Sequence, residues 1–119
     1  MGETHKAFTL RRSFGSADSR KVEFLIDSGA TYSLVPRTCL NELGVKPHSQ
    51  VEVALADGTA LVRDVGDVFF EYLGECGSAP VIFGEEGEEP LLGALTLEAL
   101  RLVLNPFRRE IYPGRRIRI

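Results

Sequence analysis

The segment VEFLIDSGATYSLV, residues 22–35, contains the side chain of this protein that is best placed to do chemistry. Asp27 follows directly on an apolar Phe-Leu-Ile run and is itself followed by Ser28 and Gly29. Asp-Ser-Gly alone is typical of a tight turn, in which the aspartate bonds the backbone and glycine adds conformational freedom. Turn aspartates usually have polar neighbours, whereas apolar residues lie on both sides of this segment. The context favours a carboxylate presented outward from a buried strand, where it can act as a general acid or base.

Mostly short strands would position this carboxylate. Alternating or β-leaning patterns predict strands at residues 6–11, 20–26, 31–35, 50–55, 59–65, 68–72, 80–83, 102–104 and 109–112. Residues 95–102 carry leucines at helical spacing, and residues 37–43 could add one or two helical turns closed by Gly44. A turn is predicted at residues 75–78. The absence of a β-α-β rhythm indicates an all-β fold with one short helix.

The clearest hairpin signal lies in the middle of the chain. Asp57 and Gly58 separate two alternating segments. A type I′ turn needs positive φ at both central positions, which Asp-Gly tolerates well. We therefore predict a hairpin over residues 50–65 with a type I′ turn at Asp57 and Gly58.

Length and charge restrict the fold and the partners. The chain has 119 residues, so we expect one domain over residues 1–119, with a core at about 6–112 and a basic tail at 113–119. The formal net charge of −3 gives no reason to expect a nucleic acid partner. The basic tail and the acidic residues 85–89 are interpreted as solvated segments, with a nucleic-acid-binding tail as the alternative.

No residues are spaced as metal ligands. Cys39 and Cys76 lack CxxC spacing, and His5 and His48 are isolated, so we expect neither a metal site nor a cofactor. The cysteine pattern favours a reduced, intracellular protein. The N-terminus lacks an apolar signal core, and no apolar run approaches the about 20 residues that span a membrane. We expect a cytoplasmic protein without a membrane partner.

Two motifs together resemble a known family. The segment LIDSGATYSLV resembles the active-site segment of retropepsin-type aspartic proteases, and it is especially similar to gypsy-type retroelement proteases and their small cellular relatives. That family repeats an apolar-apolar-Gly element leading into a short helix, which Leu91, Leu92 and Gly93 followed by residues 94–102 match. The hairpin at 50–65 lies between the two motifs, where the family has its flap. The resemblance implies a small closed β-barrel with a flap hairpin and one short C-terminal helix.

The resemblance also implies an aspartic endopeptidase. Peptide hydrolysis without a metal or a nucleophilic side chain can use two carboxylates that share one proton, one activating water and the other bonding the scissile carbonyl. This chain has one Asp-Ser-Gly element, since Asp57, Asp64 and Asp67 lack its context. The second carboxylate would therefore be Asp27 of another copy, on the two-fold axis of a homodimer that activity requires.

The family motif implies a role for each matching residue. Asp27, Ser28 and Gly29 would form the catalytic loop, with Ser28 bracing the two loops across the dimer axis. The Gly29 backbone would bind the main chain of a peptide or protein substrate, and Ser33 would be an inner polar residue. The implied substrate-binding positions are Ala30, Leu34, Asp57, Gly58 and Leu91. Of these residues, Asp57 and Gly58 would form the tip of the flap, which folds over an extended peptide.

Two positions depart from the retroviral pattern. Retroviral members pair an acidic residue two places after the catalytic glycine with an arginine after the later glycine, where this chain has Thr31 and Ala94. They also interleave their chain ends, and Arg115, Arg116 and Arg118 near a two-fold axis would weaken such pairing. The alternative hypothesis is a protease-like module for dimerisation or peptide binding with little or no hydrolysis. The intact Asp-Ser-Gly element favours the enzyme.

Overall fold

The computed structural model describes residues 3–114, which form nine strands and two short helices. The strands are β1 His5–Arg11, β2 Arg20–Ile26, β3 Ser33–Pro36, β4 Ser49–Ala54, β5 Ala60–Tyr72, β6 Glu75–Gly84, β7 Leu91–Leu92, β8 Leu102–Asn105 and β9 Glu110–Pro113. The helices are α1 Arg37–Leu43 and α2 Ala94–Ala99. Neither of these helices is long and apolar enough to cross a membrane. The arginines of the predicted basic tail lie outside the described residues.

Seven strands form one sheet in the order β1-β2-β7-β3-β6-β5-β4. β1 also pairs with β5, so the hydrogen-bonded ladder closes on itself and β4 extends from it as the outer strand of a hairpin. β2 runs parallel to β7, and β3 runs parallel to β6. β8 and β9 form a separate two-stranded sheet. The all-β fold with a short helix after the second motif, expected from the sequence, is confirmed.

Aromatic side chains from three strands fill the core. Phe8, Phe24 and Phe70 have no exposed surface, and their ring centroids lie 5.8, 6.1 and 6.4 Å apart. Replacing such a residue by alanine typically costs about 3–5 kcal/mol. In β2, the side chains of Phe24 and Ile26 share one face of the strand, and both are buried. This burial anchors β2 up to the residue before Asp27.

The predicted turn at residues 75–78 is wrong, because they form the first half of β6. The chain reverses instead at Leu73 and Gly74, whose φ angles of 46° and 86° form a two-residue type I′ turn. The strands predicted at 59–65 and 68–72 are one continuous strand, β5. Gly77 serves packing, since a Cβ atom there would lie 2.6 Å from the carbonyl oxygen of Ala99 in α2.

The hairpin formed by β4 and β5 is confirmed, but its predicted turn type is wrong. Gly58 has a φ of 88°, whereas Asp57 is not among the residues with positive φ. The Leu55 N–H donates to the Thr59 carbonyl at 2.8 Å, and the Gly58 N–H donates to the Leu55 carbonyl at 2.9 Å. This is the wider hairpin loop, in which a tight turn precedes a left-handed glycine.

The helical turns that the sequence allows at residues 37–43 form α1, which ends at Gly44 in the left-handed conformation with a φ of 80°. α2 covers Ala94–Ala99 and is shorter than the predicted 95–102. The chain leaves the helix at Arg101, whose φ of 59° directs it into β8.

We predict that Leu73→Asn raises the free energy of unfolding. Leu73 is 81% exposed and its left-handed backbone is unfavourable for leucine, whereas asparagine adopts it readily. The expected gain is up to about 1 kcal/mol, measured by urea denaturation. Leu73→Ala is the matched control, because it removes the same exposed side chain and keeps the backbone cost. Equal gains in the two variants would contradict this explanation.

Candidate active site

Asp27 is held in place by the backbone of a neighbouring strand. β2 and β7 are parallel, and the Asp27 N–H continues their ladder by donating to the Leu92 carbonyl at 2.9 Å. The Asp27 carbonyl accepts the Ala30 N–H at 3.1 Å, which closes a tight turn. The backbone of the aspartate is therefore fixed at the end of two paired strands.

The Asp27 carboxylate is restrained by its own loop. Its Oδ1 accepts the Gly29 N–H at 3.0 Å, and a Cβ atom at position 29 would lie 3.3 Å from the same oxygen. Asp27 is half-buried, while Ser28 and Gly29 are exposed. The segment thus is a turn, as Asp-Ser-Gly suggests, and it also presents a carboxylate at the surface of the core.

The β7–α2 junction packs directly against this loop. Gly93 is buried, and a Cβ atom there would lie 2.5 Å from the Tyr32 carbonyl oxygen and 2.8 Å from that of Ala30. The Gly93 N–H donates to Ser33 Oγ at 2.9 Å, and that hydroxyl shares a 2.6 Å hydrogen bond with Thr96 Oγ1. Ser33 and Thr96 have no exposed surface. Backbone contact this close requires glycine, and the buried Ser33 hydroxyl satisfies its amide.

Thr31 and Ala94, which replace the retroviral ion pair, lie where the loop meets α2. The Ala94 N–H donates to the Ala30 carbonyl at 2.7 Å, and the Leu95 N–H donates to the Thr31 carbonyl at 3.1 Å. The first amides of a helix have no partner within the helix, and α2 has no side-chain cap. The backbone of the segment that follows Asp27 therefore caps α2.

Of the predicted substrate-binding residues, Ala30 lies in the segment that follows Asp27, and Leu34 and Leu91 lie in β3 and β7. Leu34 lies directly opposite Leu91 in the β3–β7 pair, and both residues are half-buried, as is Ala30. Partly exposed apolar side chains can contact an apolar ligand group. The other two predicted residues, Asp57 and Gly58, lie at the exposed tip of the β4–β5 hairpin.

The Asp57 carboxylate is engaged within the hairpin turn itself. Its Oδ1 accepts the Thr59 N–H at 2.9 Å. Hydrogen bonds from the Thr59 side chain and backbone hold the pKa of Asp57 below its usual range. The carboxylate therefore shapes the tip of the hairpin.

An apolar cavity of about 420 Å³ lies beside the loop. It is lined by Ser28, Ala94, Leu97, Glu98, Leu102, Val103, Leu104 and Pro106. α2 and β8 provide most of its walls. The exposed Ser28 thus borders an apolar surface rather than open solvent alone.

Two arginines connect the base of the β4–β5 hairpin to the acidic loop, residues 85–89. Arg63 of β5 binds Glu88 through both ends of its guanidinium, with Nη1–Oε1 and Nη2–Oε2 distances of 2.8 and 2.6 Å. Glu88 Oε1 also accepts the Glu85 N–H at 2.7 Å. Arg37 Nη2 lies 3.1 Å from Glu85 Oε2 and 3.2 Å from Asp64 Oδ2. The acidic loop is exposed, as predicted, yet it is also part of an ion-pair network.

This network strongly perturbs Glu88. Hydrogen bonds from Arg63 lower the pKa of Glu88 from 4.5 to about 2, although burial acts in the opposite direction. The same pair raises the pKa of Arg63. A carboxyl group with a depressed folded-state pKa adds stability above its unfolded pKa and loses it as pH falls through the folded pKa. The contribution of Glu88 is therefore complete above about pH 4.5 and disappears towards pH 2.

Sequence patterns did not identify Thr96, Arg63 or Glu88 as part of this region. A threonine between two leucines of the predicted helix was a signal for a buried hydrogen bond. Arg63 lies opposite Val51 in the hairpin, so a charge on an otherwise apolar face was also visible. Nothing in the sequence distinguished Glu88 from the other glutamates of the acidic loop.

Known proteins resemble the chain in sequence and in fold. Residues 15–99 match the family model described as gag-polyprotein putative aspartyl protease, and this range contains both predicted motifs. The solution structure of the simian foamy virus (mac) protease is similar, with 22% sequence identity and a TM-score of 0.53 over 78% of this chain and 92% of that chain. No curated protein sequence matches. The predicted retropepsin-like fold is confirmed.

We predict that Ser33→Ala lowers the free energy of unfolding by about 1–3 kcal/mol, because it leaves the Gly93 N–H and the Thr96 hydroxyl without this partner. Thr96→Val should cost less, since Ser33 still accepts the Gly93 amide. Urea denaturation of both variants measures the difference. A larger loss for Thr96→Val than for Ser33→Ala would contradict this order.

We predict that Glu88→Gln is destabilising in a pH-dependent way. At pH 6 the loss should be about 1 kcal/mol, a value that allows for solvent screening of a partly exposed pair. Because the pKa of Glu88 is lowered from 4.5 to about 2, the difference from the wild type should narrow between those pH values. Glu86→Gln, in the same exposed loop, is the control and should show no such narrowing. Urea denaturation across this pH range measures the difference in the free energy of unfolding between each variant and the wild type. A difference for Glu88→Gln that stays constant with pH would refute the prediction.

Proposed function

Because the chain belongs to the gag-polyprotein aspartyl protease family, we propose that it is an aspartic endopeptidase whose active site combines Asp27 from each subunit of a homodimer. The observation that carries this proposal is the anchoring of Asp27, with its amide on the Leu92 carbonyl and its carboxylate on the Gly29 amide. Such anchoring limits movement of the carboxylate before the substrate binds, which favours catalysis.

The chemistry needs a second carboxylate. In the described residues, no hydrogen bond joins Asp27 to another carboxyl group, and its Oδ1 is bonded to its own loop. The exposed Ser28 and Gly29 leave this loop accessible to a second copy of the chain. A two-fold axis near the loop would bring Asp27 next to its counterpart, and Ser28 would brace the paired loops.

The two carboxyl groups would share one proton, because ionising the second beside the first is unfavourable. The ionised group would take a proton from water as the water attacks the scissile carbonyl carbon. The protonated group would donate a hydrogen bond to the carbonyl oxygen, where negative charge develops. The Gly29 amide would keep each carboxylate oriented during these steps.

The substrate would be an extended peptide with apolar side chains at the cut. Ala30, Leu34 and Leu91 offer half-buried apolar surface beside the loop. The β4–β5 hairpin, with Asp57 and Gly58 at its tip, would fold over the peptide and exclude water. Backbone hydrogen bonds of β type would hold the peptide main chain.

We predict that the purified protein cleaves members of a peptide library at about pH 4–7 and that Asp27→Asn lowers the rate by at least about a hundredfold, since the variant cannot supply the general base. A pepstatin-like inhibitor should reduce the cleavage. Mass spectrometry of the products measures it. Asp18→Asn, an exposed aspartate in the β1–β2 loop, is the matched control and should retain activity.

Cleavage that survives Asp27→Asn would overturn the proposal. Peptide binding without cleavage by the wild type would instead favour the protease-like binding module. One peptide-library assay of the wild type, Asp27→Asn and Asp18→Asn distinguishes both of these outcomes from the expected result.

A further inference from the structure

The β4–β5 hairpin extends beyond the closed sheet. Pairing between β5 and β6 ends at Val65, opposite Ile82. Residues 60–64 of β5 pair with β4 over the rest of the hairpin. Side-chain contacts at the base of the hairpin therefore influence its position relative to the sheet.

Arg63 lies on the inner face of this hairpin. Directly opposite residues of an antiparallel pair share a face. The half-buried face comprises Val51, Val53, Leu61 and Arg63, and the exposed face comprises Glu52, Ala54, Ala60 and Val62. Arg63 is thus beside the apolar residues that would face a peptide under the hairpin.

Through Glu88, the Arg63–Glu88 ion pair also connects the hairpin to the catalytic loop. The acidic loop continues into Pro90, whose carbonyl accepts the Leu25 N–H at 3.1 Å. Two residues later, the Leu92 carbonyl accepts the Asp27 N–H. The Arg63–Glu88 ion pair therefore joins the hairpin to the segment that anchors Asp27.

This ion pair has the geometry of a strong interaction. The Arg63 side chain is 13% exposed, the least of any arginine or histidine in the described ion pairs, and Glu88 is 34% exposed. Two parallel hydrogen bonds and the Glu85 amide hold the carboxylate. Exposed ion pairs contribute little on average, but bidentate arginine pairs with restricted side chains are the exception. With a pKa of about 2, Glu88 also stays ionised in mild acid.

We propose that the Arg63–Glu88 ion pair is a latch that holds the inner face of the β4–β5 hairpin over the catalytic loop, which makes Arg63 a positioning residue for substrate binding. The inference rests on the proposed peptidase function. When the latch is broken, the hairpin spends less time in the closed position. Apparent affinity falls in proportion to the closed fraction, while the chemistry at Asp27 is unchanged. KM therefore rises and kcat does not fall.

The first test compares Arg63→Gln with the wild type on one cleaved peptide. KM should rise by about fivefold or more with kcat within about twofold, because loss of the pair lowers only the closed fraction. The charge-swapped double variant Arg63→Glu/Glu88→Arg should recover part of the loss. Arg20→Gln breaks the more exposed Arg20–Glu42 ion pair away from the hairpin and is the control for loss of an arginine charge. Unchanged KM in Arg63→Gln, or a loss confined to kcat, overturns the latch.

Hydrogen exchange gives a second readout that does not depend on cleavage. In Arg63→Gln, the amides of β4 should exchange faster, while those of β1 and β2 keep wild-type protection and so confirm the fold. If the wild type cleaves no peptide, the proposed function fails, and this measurement still tests the latch. Unchanged exchange in β4 overturns the latch whether KM is raised or not, since a raised KM would then reflect direct substrate contact by Arg63.

Discussion

The parallel pairing of β2 with β7 holds both the sheet and the candidate site in place. It extends the backbone ladder to the Asp27 amide, and it places Gly93 against the carbonyls of residues 30 and 32. Parallel neighbours cannot be joined by a tight turn and need a long connection. Here that connection contains β3 to β6, the β4–β5 hairpin and the acidic loop. The connection begins at Asp27 and ends at β7, where the Leu92 carbonyl accepts the Asp27 N–H. The pairing that closes the connection therefore also forms the candidate site.

Local sequence patterns predicted the features whose cause is local. Alternation placed Phe24 and Ile26 in the core, and a glycine preference for left-handed backbone identified the end of α1 at Gly44. The type I′ turn was missed because Leu73 is a poor residue for positive φ, and the long β5–β6 pairing imposes that conformation. Gly77 favoured the wrong prediction of a turn. The structure requires a glycine there because the Ala99 carbonyl of α2 approaches it closely.

At the candidate site too, features with a local cause were predicted from the sequence and features with a long-range cause were not. Asp27 and the Leu91–Leu92 strand followed by Gly93 were recognisable because their chemistry and spacing form local motifs, and the family match covers both. The hydrogen bond between Ser33 and Thr96 joins residues 63 positions apart, and Arg63 selects one glutamate from an acidic loop. Such partners depend on how strands meet in space. A pattern of residue types along the chain does not specify them.

In the proposed enzyme, two copies of the chain share one active site, and each copy contributes Asp27. Incubating wild-type protein with an about tenfold excess of Asp27→Asn should place most wild-type subunits in mixed dimers and lower cleavage per wild-type subunit by about tenfold. The same excess of Asp18→Asn, which keeps both carboxylates of the site, should cause no such loss. A cleavage rate that is unaffected by the inactive subunits, after they have exchanged, would contradict the shared site.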